Sequence, residues 1–118
     1  MSLSRESILA AQDLQSEDVP VPEWGEGATL KVRGISAADF ERFQAGLAAF
    51  RENPAKLSNI RCRFLVYCLV DGEGKLLFTE EDAAELGRKS PGIIARLYDK
   101  AQALSGLGPT AVEDAAKN

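Results

Sequence analysis

The sequence predicts one α+β domain, predominantly helical with about four to five helices and a small N-terminal antiparallel strand pair. Three observations carry that expectation. Phe40, Phe43, Leu47 and Phe50 recur at intervals of three and four residues behind Ser36, the spacing of a helix with one buried stripe. Ser90-Pro91 opens a second such pattern, in which Ile93, Ile94, Leu97, Ala101 and Leu104 share a face, and proline is favourable in a first helical turn because its missing N–H has no intrahelical partner there. Between Val19 and Arg33, by contrast, Pro20 and Pro22 bar a helix, and the spacing of Leu30 and Val32 reads as a short strand.

Composition bounds the rest. A chain of 118 residues suits a single domain that removes about two-thirds of its unfolded surface from water. Its expected extent is 1–118, with a core over about 18–106 and less order in 1–17 and 107–118. The formal charge of −4 is the wrong sign for a protein that neutralises phosphates, so no nucleic-acid partner is expected. The longest apolar run, Phe64 to Val70, is far short of the roughly 20 residues of a membrane-spanning helix, and no signal pattern stands at the N-terminus. The expectation is a soluble cytoplasmic protein with no membrane partner. The chain contains no histidine, which removes the commonest general base, the usual nucleophile pairs and most zinc chemistry. No enzymatic activity, catalytic residue, metal or cofactor is therefore expected. Cys62 and Cys68 lie six residues apart, about 120° apart around a helix, and cannot bridge there. They read as small buried hydrophobes, with a reactive thiol as the alternative.

In chain order, Ser4 opens a short first helix to about Leu14. The stretch SEDVPVPEWGEG, residues 16 to 27, is an extended arm or edge strand, since each proline pushes its predecessor, Val19 or Val21, to extended geometry. It is expected to pair with Thr29–Arg33 across Trp24-Gly25-Glu26-Gly27. Ser36 and Asp39 form a capping-box variant at the start of the Phe-rich helix. Asn53-Pro54 ends that helix and starts a third, from about Pro54 to Val70. Lys56, Ser58, Asn59, Arg61 and Arg63 dilute its first half, while Phe64 to Val70 is uncharged and expected to be buried on nearly all sides. The rival reading makes FLVYCLV and KLLF the strands of a hairpin about DGEG. Helix is favoured because the apolar pattern extends back to Ile60 and Leu57. Lys75–Phe78 is then an extended strap able to add to the N-terminal strands. Thr79 to Asp82 is a second capping box, with three acids where the helix dipole favours them, and Gly87 stops its helix. Gly106 and Gly108 end the last long helix, Pro109 starts a final turn, and TAVEDAAKN is expected to be poorly ordered.

Between Asp71 and Asp82 five acids stand against one base, so a cation loop deserves a test. Aligned as an EF-hand, Lys75 falls on a ligand position, Leu76 on the required glycine and Asp82 on the bidentate glutamate. Three failures leave a turn followed by a capped helix. The glycines form no phosphate-binding loop, and nothing specifies the pocket or spacing that paired carboxylates need for glycoside hydrolysis. Two features remain as candidate partner contacts. Arg51, Lys56, Arg61 and Arg63 stand against one acid, Glu52, forming either a solvated face or a surface for an acidic partner. The arm carrying Val19, Val21 and Trp24 can lend an edge by strand addition, although Trp24 also suits a core or hairpin anchor.

The pieces VPEWG, CLVDGEGKLLFTEEDAAELG and the LSGL ending of the last helix, in this order over roughly residues 18 to 118, resemble the tail assembly chaperones of long-tailed siphophages and prophages. None is a catalytic signature. The resemblance implies a non-enzymatic, largely helical protein of the infected cell that binds the tape measure protein and keeps it soluble while tail tube subunits polymerise around it, and that is absent from the finished virion. It also implies the tube protein and self-association as further contacts. In many members of that family a programmed frameshift near the gene's end also makes a longer product. Ala116-Lys117-Asn118 is the peptide a slippery A-AAA-AAC heptamer encodes when the alanine codon ends in A, and AAG or AAT codons in the gene would remove that support. The reading from another class is a stand-alone helical adaptor or regulator of the bacterial host.

Overall fold

The computed structural model describes residues 1–48 and 59–117. Among them are six α-helices, α1 (Arg5–Ala10), α2 (Ala37–Ala48), α3 (Ile60–Leu65), α4 (Ala83–Leu86), α5 (Pro91–Leu104) and α6 (Ala111–Lys117). Strands β1 (Ser16–Pro20), β2 (Thr29–Arg33) and β3 (Leu69–Val70) form an antiparallel sheet in the order β1-β2-β3. The expected α+β class and the N-terminal strand pair are both present.

The hairpin follows from its prolines and glycines. β1 and β2 pair from Ser16↔Arg33 to Pro20↔Thr29, and the Val21 and Gly34 N–H groups donate to Ala28 and Gln15 at 2.9 and 2.8 Å. Odd-numbered residues of β1 therefore bond to β2, which turns the Pro20 nitrogen toward the free edge, where no N–H is required. The closing turn runs through Pro22–Trp24 to Gly27, whose φ of 70° lies in the left-handed region that glycine occupies without strain. Val19, Val21 and Val32 enter the core.

Between residues 60 and 78 the expected helix through Val70 is corrected. α3 ends at Leu65, Val66–Cys68 turn, and Leu69–Val70 become the third strand, pairing Val32↔Leu69 and Lys31↔Val70. After Val70 the chain turns on Asp71, whose Oδ1 accepts the Glu73 and Lys75 N–H groups at 2.8 and 3.0 Å. It returns as the strap, where Leu76 bridges Val70 and the Leu77 N–H donates to Leu69 at 3.0 Å. Each reading of this segment thus describes half of it. A run that is apolar throughout has no period to distinguish the two. The buried second edge of β2 needs backbone partners, and Leu69–Val70 supplies them. Asn53-Pro54, Phe50 and Leu57, on which other expectations rested, lie outside the described residues.

The helices pack on one another through aromatic rings. Phe43 lies 6.0 Å from Phe40 and meets Phe64 edge-on at 5.6 Å, and Phe64 meets Tyr98 edge-on at 5.9 Å, which ties α2, α3 and α5 together. The Asp39 N–H donates to Ser36 Oγ at 3.1 Å, as a cap should, while the Asp39 carboxylate turns to Arg42 at 2.7 Å. In the second box the Thr79 N–H donates to Asp82 Oδ2 at 2.8 Å. Two ends differ from expectation. α1 stops at Ala10 rather than near Leu14, and none of its residues is buried. At the other end, where little order was expected, α6 forms, with Val112 and Ala115 in the core. It is held by the Tyr98 hydroxyl, which donates to Glu113 at 3.2 Å.

Candidate partner-binding surface

Three adjoining depressions cover the side of the molecule bounded by the hairpin turn, the strap and α4. The middle one, about 600 Å³, is lined by Trp24, Phe78 and Leu86 with Asp82, Glu85, Arg88 and Lys89 around them. Phe78 is shared with a neighbour of about 480 Å³ that also takes in Leu76, Tyr67 and Glu80. Lys89 is shared with another of about 380 Å³, between Ile60, Arg61, Cys62 and Ile94. Trp24 is 40% exposed and Leu76 39% exposed, so the lining presents large apolar side chains to solvent. Such clustering, rather than any one exposed residue, marks a contact surface.

Local chemistry explains the positions. The turn after Val21 places Trp24 at the tip of the hairpin. Glu23 beside it holds Arg96 of α5 through two bonds of 3.2 and 2.6 Å, and the Arg96 guanidinium keeps the Glu23 carboxyl below its ordinary pKa. Arg96 also donates to the Pro20 carbonyl at 3.3 Å, and Lys100 pairs with Glu17 at 2.7 Å. β1 is thus fastened to α5 along its length. On the strap side, the Tyr67 hydroxyl donates to Glu80, and burial first, then that carboxylate, raises its pKa.

The seven residues expected from sequence fare differently. Trp24 and Arg61 line adjoining depressions, and the Arg61 guanidinium also lies 5.1 Å from the centre of the Tyr98 ring, a cation–π contact. Val19 and Val21 are 5% and 1% exposed, so the apolar side of the arm is core and not a presented surface. That is a correction with a simple cause, since the period of two turns both valines onto the helices. Arg63 is half-buried, and Arg51 and Lys56 lie outside the described residues. Sequence reasoning missed Phe78, Leu86, Arg88 and Lys89. One signal was available: three consecutive apolar residues, Leu76-Leu77-Phe78, in a segment read as a strap must turn at least one outward.

The thiols are structural. Cys62 and Cys68 are 2% and 0% exposed, and burial raises both, that of Cys68 to about 12. Few thiolates exist near neutrality, and those few are enclosed. Neither cysteine is expected to react with a maleimide in the native protein. Labelling should appear only as the chain unfolds in denaturant, read by mass spectrometry against a circular-dichroism melt. Among the described residues no group of three or more Cys, Asp or Glu is placed to hold a metal ion. No helix among them is long and apolar enough to cross a membrane.

A helix-rich α+β domain with a short three-stranded sheet, its thiols buried and its open side apolar with mixed charge around it, is the class of protein that these features define. The chain belongs to the phage tail assembly chaperone family, whose model matches residues 4–118. Among solved structures its fold is similar to that of the bacteriophage HK97 tail assembly chaperone, with a TM-score of 0.57 and 21% identity over 84% of this chain and 90% of that one. No curated protein matches the sequence.

Proposed function

We propose that this tail assembly chaperone acts without catalysis in the host bacterial cytoplasm, binding the tape measure protein of a siphophage or prophage and keeping it soluble while the tail tube forms. It is then released before the virion is complete. Family membership over residues 4–118 carries the reading. The three adjoining depressions support it, because a long tape measure helix carries an apolar stripe, and a groove with charge along its margins suits such a helix. Trp24 and Arg61, which line two of the depressions, are the proposed contacts. The charge of −4 helps keep a complex with an apolar client dispersed.

Co-expression tests the reading. The long, helix-rich product encoded downstream is expected to be largely insoluble alone, and to move to the soluble fraction and co-purify with this chain when both are made together. If it stays insoluble and no complex is recovered, the tape measure assignment fails, while the family assignment stands.

A further inference from the structure

On the face of the sheet turned away from the core, two cations stand without counter-ions. Lys31 and Arg33 flank the buried Val32 on β2, so the period of two puts both on the outer face. They border a cavity of about 520 Å³, lined also by residues 11–14, which lead into β1, and by the 72–74 turn that follows β3. Both cations are half-buried, and among the described residues neither makes an ion pair, whereas Arg42, Lys75, Arg96 and Lys100 each have one. Asp13 and Glu73 lie on the cavity's lining, but Glu73 is turned to Lys75 at 3.8 Å. Asp18 stands opposite Lys31 across the ladder, outside the lining, and does not pair with it. The Arg33 guanidinium is anchored at Nη1, which donates to the Gly74 carbonyl at 2.9 Å, while its enclosed Nε–H meets no acceptor among the described residues. Taking charge and donors out of water without a partner costs stability. The fold nonetheless holds a fixed guanidinium fork and an ammonium side by side, and the complement of that pair is carboxylate.

Spacing selects the ligand. Two residues apart on a strand, Lys31 and Arg33 are separated by about 7 Å along the chain, which is also the separation of acids at alternate positions of an extended peptide. We propose that this cavity takes an extended acidic segment of a partner protein, with one carboxylate on Arg33 and the next on Lys31. Arg33 binds its carboxylate through the planar fork, and Lys31 acts as a compact point charge. Asp13 and Glu73 on the lining make a phosphate-rich polyanion the poorer guest, because their repulsion grows with the negative charge that enters. A chain with a net charge of −4 thus keeps one local site for acids. The cavity shares no residue with the three depressions beside Trp24, so the inference does not rest on the tape measure reading.

Calorimetric titration of the full chain with an acetylated, amidated peptide carrying Glu-Ser-Glu tests the site. A dissociation constant of about 1 mM or tighter is expected, weakening as salt rises from roughly 0.1 to 1 M. Lys31→Gln and Arg33→Gln should each weaken binding about fivefold or more, and Asp13→Asn, which removes a repelling carboxylate, should tighten it about twofold. Lys100→Gln removes the same charge from the other face of the sheet and should change the affinity less than about twofold. Circular-dichroism melts show which variants are folded, and if Arg33→Gln unfolds for want of its bond to Gly74, Lys31→Gln decides. Three outcomes overturn the proposal. These are no binding at the lower salt, a Lys31→Gln variant that binds like its parent, or a Gln-Ser-Gln peptide, acetate or inorganic phosphate that binds as tightly as the acidic peptide.

Discussion

Phe64→Ala is expected to destabilise the fold by about 3–5 kcal/mol, a large part of the roughly 5–15 kcal/mol that holds a domain of this size together. Phe64 is 0% exposed, and its ring is the middle link between Phe43 of α2 and Tyr98 of α5, at 5.6 and 5.9 Å. Removing the ring deletes buried apolar area and both edge-on contacts. It also opens a cavity that three helices cannot close together without losing their contacts with the sheet. Denaturant unfolding followed by far-ultraviolet circular dichroism should show the midpoint fall at nearly constant slope. Phe64→Leu keeps most of the volume and should cost less than half as much. Equal losses for the two would show that ring geometry, and not volume, is what the site needs.

Gly34→Ala is the second large effect, and it arises from backbone alone. A Cβ at Gly34 would lie 2.5 Å from the Leu104 carbonyl oxygen, 3.0 Å from its carbon and 3.2 Å from Ser105 Cα. No rotamer relieves a contact with main chain, so β2 and the end of α5 must separate. Separation strains the bond from the Ile35 N–H to Ser105 Oγ, at 2.9 Å, and the hydroxyl itself donates to Ala101 at 2.6 Å. Overpacking of this kind costs about 1–3 kcal/mol, and the hydrogen bond adds about 1 kcal/mol. A loss of about 3 kcal/mol should lower the melting temperature by roughly 10 °C. Gly72→Ala is the control, because nothing lies within 4 Å of a Cβ there, and its melting temperature should hardly move. If Gly34→Ala melts like the parent chain, the close approach of strand and helix is not what the fold depends on.

The helices with local signals were legible. Ser36 and the Phe40–Phe43–Leu47 stripe define α2, and Ser90-Pro91 with Ile93, Ile94, Leu97 and Ala101 define α5. Each signal is a cap or a period confined to a few turns. Thr79 to Asp82 likewise capped the expected turn, which begins as a 3-10 segment before α4. The candidate site was much less legible. Trp24 and Arg61 were named, but the floor that Trp24 shares with Phe78 and Leu86 joins the hairpin turn, the strap and α4, and Arg61 lines the depression next to it. No local pattern brings residues 24, 61, 78 and 86 to one side of a molecule.

By itself, then, the sequence determined the α+β class, the hairpin, the capped helices and the resemblance that family membership bears out, because caps, prolines and periodic apolar positions act over a few residues. Tertiary structure alone decided four other things. It made Leu69–Val70 a strand, because the free edge of β2 needed partners. It made the last residues a helix, because Val112 found a site in the core. It required glycine at position 34, because α5 passes there. It turned Val19 and Val21 inward, leaving the open apolar surface to Trp24, the strap and the uncovered first helix. Each of these outcomes depends on contacts between residues far apart in the chain, and such contacts form only when the whole domain has closed.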